Sequence, residues 1–230
     1  MPDIHAVGPR YCETPPPSAV SGDLLAAFPL EAINVWTSAV PALLGLLGVY
    51  YLYRHHQLLS PVLITAVATA VVGVGSMLWH GLRTPLTLTL DVVPGLIAFF
   101  SVVYLWPRYL FGITGALVTI GALFGGSALL TWLIPTGDAN GPPALVFVVT
   151  ALIAGYLVFA TYQRSRVLGH FAAAMIASAL VAAIARTIDL YTCHLIPFGT
   201  HFIWHLGLGL AAYLAVVLLA KLARTHKSCA

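Results

Sequence analysis

The sequence predicts an all-α membrane protein, a seven-transmembrane-helix bundle with its N-terminus outside and its C-terminus cytoplasmic. Three observations carry that expectation. Hydrophobic residues make up 60% of the 230-residue chain and charged residues only 7%, with a mean hydropathy of +0.95; an ordinary soluble domain is far more polar. Apolar runs of about 20 residues recur along the chain, the length a helix needs to cross a hydrocarbon core of ~30 Å. Basic residues collect at alternate ends of those runs. The short alternating segments of an outer-membrane barrel are absent.

Hydropathy, charge and Pro/Gly punctuation place the spans in order. A polar, proline-rich arm over 1–30, without the apolar core of a signal peptide, precedes a first span at 31–53 that closes on Arg54. The second, 61–82, follows Ser60-Pro61 and ends before Arg83; the third, 86–106, follows Pro85 and stops before Pro107. The fourth runs over 109–134 and meets Pro135, and the fifth, 143–163, follows Gly141-Pro142 and ends before Arg164. The sixth, 167–187, starts after Arg166, and the seventh, 201–222, follows Pro197 and Gly199. A tail occupies 223–230. Short connections make successive helices antiparallel neighbours in one bundle.

Arg54, Arg108, Arg164, Arg166, Lys221, Arg224 and Lys227 fall at one set of ends; Arg10, Arg83 and Arg186 fall at the other. The richer set faces the cytoplasm by the positive-inside rule. No cluster of basic and aromatic residues is interleaved along the chain, so nucleic acid is not an expected partner. Cys12 in the outer arm and Cys193 in the outer loop before the last span are open to two readings: a bridge pinning the arm over the bundle mouth, or two buried thiols. Cys229 lies in the inner tail.

Buried ionisable groups in a bilayer are costly and mark sites. Ser76 and His80 stand four residues apart at the end of span two, and His201 and His205 repeat that spacing at the start of span seven. Residues four apart share a helical face. Asp91 lies near the start of span three, and alternating helix direction brings all five residues to one depth. Three neutral imidazoles can hold a zinc ion with a fourth position left for water. A nearby carboxylate can accept a proton from that water, and a hydroxyl can stabilise an oxyanion. The combination suits hydrolysis of a lipid amide or ester. Taken singly, each residue has a plainer role: a packing histidine, a helix-capping Asp91 or one paired with Arg83 or Arg186, a Ser76 bonded to its own helix.

Other polar residues read as less informative. His5, His55, His56, His170 and His226 are expected to be solvated or interfacial; His194, in the outer loop beside Cys193, is near enough to span seven to approach the site, but solvation is its default. Trp79 and Trp204 each precede a histidine and could pack against the imidazoles, but interfacial anchoring is the expected role. Gly73, Gly75, Gly207 and Gly209 suit close helix approach, and Pro41 and Pro94 suit kinks.

The motifs Gly75-Ser76-x-x-x-His80, Asp91-x-x-Pro94 after ten intervening residues, and His201-x-x-x-His205 resemble the alkaline ceramidase family. That family belongs to the CREST group of seven-helix membrane hydrolases. Tyr11-Cys12-Glu13, Glu31-x-x-Asn34-x-x-x-Ser38 and Asp189-x-x-x-Cys193 extend the likeness over nearly the whole chain. The resemblance implies zinc (Zn2+) on His80, His201 and His205, Asp91 working with the metal's water, and Ser76 assisting. It also implies a Cys12–Cys193 pair and a ceramide-like membrane lipid as substrate. The family's calcium (Ca2+) site leaves a remnant in Glu13 and Glu31, but Arg10 and Pro15 stand where ligands are expected; an Arg10 ion pair is the alternative fastening. Calcium needs about six to eight oxygens, which makes it doubtful here.

The expected function is therefore zinc-dependent cleavage of the amide of ceramide or a related N-acyl lipid, giving a fatty acid and a long-chain amine. An acyl-ester lipid hydrolase and a seven-helix receptor with a structural zinc are the alternatives. A retinal-type photoreceptor is disfavoured because the seventh span lacks a central lysine.

Overall fold

The computed structural model describes residues 7–16, 28–133 and 144–227. Among them every regular element is a helix: α1 (Ala32–Arg54), α2 (Val62–Leu82), α3 (Pro85–Leu133), α4 (Ala144–Arg164), α5 (Arg166–Thr192) and α6 (His201–Lys227). Five are long and apolar enough to cross a membrane, which makes this a multi-pass membrane protein. Large apolar side chains such as Leu43, Leu47, Val67, Val71, Ile113 and Leu180 are exposed around the bundle, the surface a lipid solvent favours.

The expected third and fourth spans both lie within α3, 49 residues interrupted by non-helical backbone at Gly112. At ~1.5 Å per residue a straight helix of that length would reach about 73 Å. It does not stay straight. Gly112 adopts φ 76°, ψ −170°, and the rings of Phe100 and Phe124, twelve residues to either side, stack at 6.0 Å. The helix thus folds back on itself at Gly112. The expected spans put the break between residues 106 and 109, but Pro107 is accommodated within the helix, whereas the reversal needs a positive φ that glycine adopts without penalty.

Close backbone approach sets the packing. A Cβ on Gly45 would lie 2.2 Å from Ala70 N, and one on Gly73 the same distance from Ala42 N, so α1 and α2 run antiparallel in contact. Gly207 meets Ala182 and the Ser178 carbonyl on α5, and Gly209 meets Pro41 on α1. These two contacts wedge α6 between α1 and α5. The apolar core gathers at one end of the bundle, where Val216, Leu218, Leu219 and Leu222 of α6 pack with Leu52, Val62, Leu105 and Leu168. Trp106 Nε1 donates to Thr161 Oγ1 at 3.0 Å, tying α3 to α4 there. Most of the buried polar residues, including the histidines, Glu31, Arg83 and Asp189, collect at the other end.

Candidate metal centre

Five helix ends and the arm build the polar end. The last turns of α2 carry Ser76 and His80; the first turns of α6 carry His201 and His205. Glu31 immediately precedes α1, whose first turns bring Asn34, Thr37 and Ser38. All three histidines are buried, at 1%, 1% and 5% exposure, and their ligand nitrogens lie within 4.8 Å of one another. The spacing of four residues on each helix, read from sequence, is what aligns each pair.

Local backbone chemistry fixes each helix end. Glu13, in the arm, accepts from the N–H groups of Ile33 and Asn34, both at 2.9 Å, so its carboxylate caps the start of α1. Asp189, at 1% exposure, performs the same service for α6: Oδ1 accepts from Thr200 N at 2.7 Å and His201 N at 2.9 Å, while Oδ2 accepts from Cys12 N at 3.1 Å. Gly199, at φ 67°, leaves room for that carboxylate; a Cβ there would lie 2.1 Å from Asp189 Oδ1. Cys12 and Cys193 form a disulfide across 181 residues. Of the two readings open in sequence, the bridge is the one observed.

The arm lies over the histidines. Tyr11 stacks on His201 with ring centroids 3.8 Å apart, and Arg186 donates to its hydroxyl at 3.4 Å. Burial pushes the Tyr11 phenol above its ordinary pKa, outweighing the opposite pull of Arg186, so the ring stays neutral. Trp79 is wholly buried beneath the arm, against Gly8, with the Arg83 guanidinium 4.5 Å from its ring. The interfacial role expected of Trp79 is thus corrected: the arm, invisible to a hydropathy window, covers it. Trp204 packs under Arg186 at 5.0 Å.

Hydrogen bonds define the ring nitrogens. His80 Nδ1 bonds the Glu31 carboxylate, leaving Nε2 for another ligand. Thr37 donates to Ile33 O at 2.7 Å and Ser38 to Asn34 O at 2.6 Å, so their oxygens are acceptors toward His205 Nδ1, at 3.0 and 3.2 Å. A protonated Nδ1 leaves the lone pair of His205 on Nε2. His205 Nε2 and His201 Nδ1 are both buried without a hydrogen-bond partner. An unsatisfied buried polar atom costs about 1–3 kcal/mol, and a cation among the three rings removes that penalty. The cluster therefore fits a metal ion.

Ser76 is buried and hydrogen-bonded to Ser38 Oγ at 3.1 Å. Asp91 lies two turns inside α3, too deep to cap it, where that helix backbone meets α2 at Gly75, the residue before Ser76. His55, His56, His170 and His194 are exposed, as their loop and helix-end positions suggested. His5 lies outside the described residues, as do the side chains of His226 and Cys229.

Compared with known protein families, residues 26–229 match the family described as Ceramidase. The chain belongs to the ceramidase family. No curated protein matches it significantly. The alkaline ceramidase resemblance read from the motifs agrees with that membership, and a ceramidase implies a lipid substrate. The residues do not fit the family's calcium as they fit a metal at the histidines. Both Glu13 oxygens are spent on α1, and Glu31 accepts from Thr14 Oγ1 at 2.6 Å, from Arg83 Nη1 at 2.6 Å and from His80. Arg10 is exposed, and the ion pair proposed for it is made instead by Arg83.

The sequence reading gave Glu31 only as a calcium remnant and Arg83 only as a possible partner of Asp91, and it missed that the two meet beside His80. Glu31 and Arg83 were visible as charges in a chain with few of them, the same signal that singled out the histidines. Thr37 carried no signal, because a threonine bonding back to its own helix looks the same whether or not its oxygen also faces a ligand.

Proposed function

We propose that this ceramidase-family protein is a zinc-dependent hydrolase that cleaves the amide of ceramide or a related N-acyl lipid. The observation that carries the reading is the pair of orphaned nitrogens, His201 Nδ1 and His205 Nε2, in a buried three-histidine cluster beside Ser76 and Asp91. Three nitrogen donors with a fourth position open suit catalytic zinc, with His80, His201 and His205 as its holders. Bound zinc lowers the pKa of a water and polarises a carbonyl.

The chain's own groups do the rest. Asp91 accepts the proton of the attacking water as its oxygen bonds the acyl carbon. The Ser76 hydroxyl donates to the oxyanion that forms on the acyl oxygen. Asp91 then returns the proton to the nitrogen as the C–N bond breaks, releasing a fatty acid and a long-chain amine. Ser38, bonded to both Ser76 and His205, holds the hydroxyl and the ring in fixed relation.

The membrane topology we propose has seven crossings, with the halves of α3 on either side of Gly112 as separate spans; the Phe100–Phe124 stack supports it. The basic residues at the Arg54, Arg108 and Arg164 ends favour those ends as cytoplasmic, putting the metal centre near the non-cytoplasmic face. A C-terminal reporter should respond as a cytoplasmic one, and a periplasmic or lumenal response would reverse the orientation.

Turnover of ceramide by the purified protein, with products identified beside a matched ester lipid, tests the activity. Chelation should abolish it and zinc restore it. Asp91→Asn is expected to lose turnover, by about 100-fold or more, while keeping metal; His205→Ala should lose both. Chelator-insensitive cleavage would sink the zinc mechanism.

A further inference from the structure

We propose that Arg83 is a positioning residue that locks the N-terminal arm to the metal centre, taking the place a divalent cation would otherwise fill. The inference deepens the reading above and rests on the histidine cluster holding zinc. Arg83 follows the last residue of α2, three positions after His80, and is buried at 1% exposure. Its backbone is left-handed, φ 48° and ψ 52°, a conformation that few L residues adopt. That turn sends the guanidinium back under the arm.

The planar fork then reaches two elements at once. Nη1 donates to Glu31 Oε1 at 2.6 Å; Nη2 donates to Pro9 O at 2.7 Å and Val7 O at 3.3 Å. Its face rests on Trp79 and lies 5.9 Å from the Tyr11 ring. The second Glu31 oxygen bonds His80 Nδ1, so the carboxylate held by Arg83 is the one that orients a proposed metal ligand. Thr14, also in the arm, donates to the same Glu31 oxygen as Arg83. Arm closure over His201 through Tyr11 and orientation of His80 through Glu31 thus share one guanidinium.

Arm carbonyls, a carboxylate and a buried positive charge are the ingredients of a cation site, but here the positive charge is covalently attached. A calcium ion needs about six to eight oxygens, and the Glu13 oxygens that could contribute are committed to α1. Lysine could supply the charge but not the fork that spans carboxylate and carbonyls together.

The experiment uses the full chain in bilayer discs with two readouts: the rate of zinc loss to a chelator, and the rate at which a membrane-impermeant thiol reduces Cys12–Cys193. In Arg83→Gln both rates are expected to rise, zinc loss by about 10- to 100-fold, and free guanidinium ion is expected to slow both again. Arg83→Lys should resemble the glutamine variant. Calcium titrated into calcium-free wild type should change neither rate. Wild-type rates in a folded Arg83→Gln or Arg83→Lys protein would overturn the proposal, as would zinc retention that depends on calcium. If neither variant folds, Arg83 belongs to the fold and the positioning role is lost. If wild type binds no zinc, the hydrolase reading fails, while the reduction rates still test the lock.

Discussion

His205 shows how single hydroxyl protons set the chemistry of the centre. Thr37 and Ser38 each have one proton, and each gives it to the carbonyl four residues back, at 2.7 Å to Ile33 O and 2.6 Å to Asn34 O. Their oxygens are left as acceptors, so the proton of His205 stays on Nδ1 and Nε2 faces the cluster. Replacing both acceptors, Thr37→Val with Ser38→Ala, frees the ring to turn or to change tautomer. Zinc affinity should then fall about 10-fold, the lower part of the range for ligand-orienting partners, in competition with a chromophoric chelator. Thr37→Val alone should cost less, because Ser38 remains within 3.2 Å. An unchanged affinity in the double variant would mean that packing alone orients His205.

Between elements, the decisive contact is α2 against α3. A Cβ on Gly75 would lie 2.1 Å from Leu90 O, and backbone cannot yield as a flexible side chain can. Gly75→Ala must therefore push apart the two helices whose next residues are Ser76 and Asp91. A displacement near 1 Å can cost about 100-fold in rate. Turnover should fall on that scale while metal content stays near wild type, since the three histidines lie on α2 and α6; loss of zinc in parallel would show that the helix shift reaches His80. Gly75 belongs to the part of this architecture that was legible in sequence. Close-packing glycines, the two pairs of residues four apart and the cysteines on one side of the bundle all follow from periodicity and topology. The Arg83–Glu31 pair did not, because it depends on which side chains meet across a loop and an arm. Nor did the break in α3: Pro107 announced it, but the reversal waited for Gly112, where φ could turn positive.

At the scale of the whole molecule, the Cys12–Cys193 bridge joins the arm to the end of α5, and Asp189 links both to the start of α6. For a loop this long, chain entropy suggests a stabilisation of about 2–5 kcal/mol. The lower end applies here, because an unfolded membrane chain keeps much of its helix and has less freedom for a bridge to remove. About 2 kcal/mol corresponds to a fall of roughly 4–8 °C in the thermal midpoint of a chain this size. The bundle should survive that loss, since the contacts of Gly45, Gly73, Gly207 and Gly209 that join α1 to α2 and α6 to α1 and α5 do not involve the arm. The centre should not be so tolerant: Tyr11 stacks on His201 one residue from Cys12, so a loosened arm uncovers the rings. In Cys12→Ser with Cys193→Ser, hydrogen exchange is expected to rise in the arm and at the start of α6 while the α6 segment around Leu218 stays protected. Zinc should leave faster in the same protein. A large drop in midpoint with uniform exchange and unchanged zinc loss would instead make the bridge a staple for the bundle, with no particular connection to the metal centre.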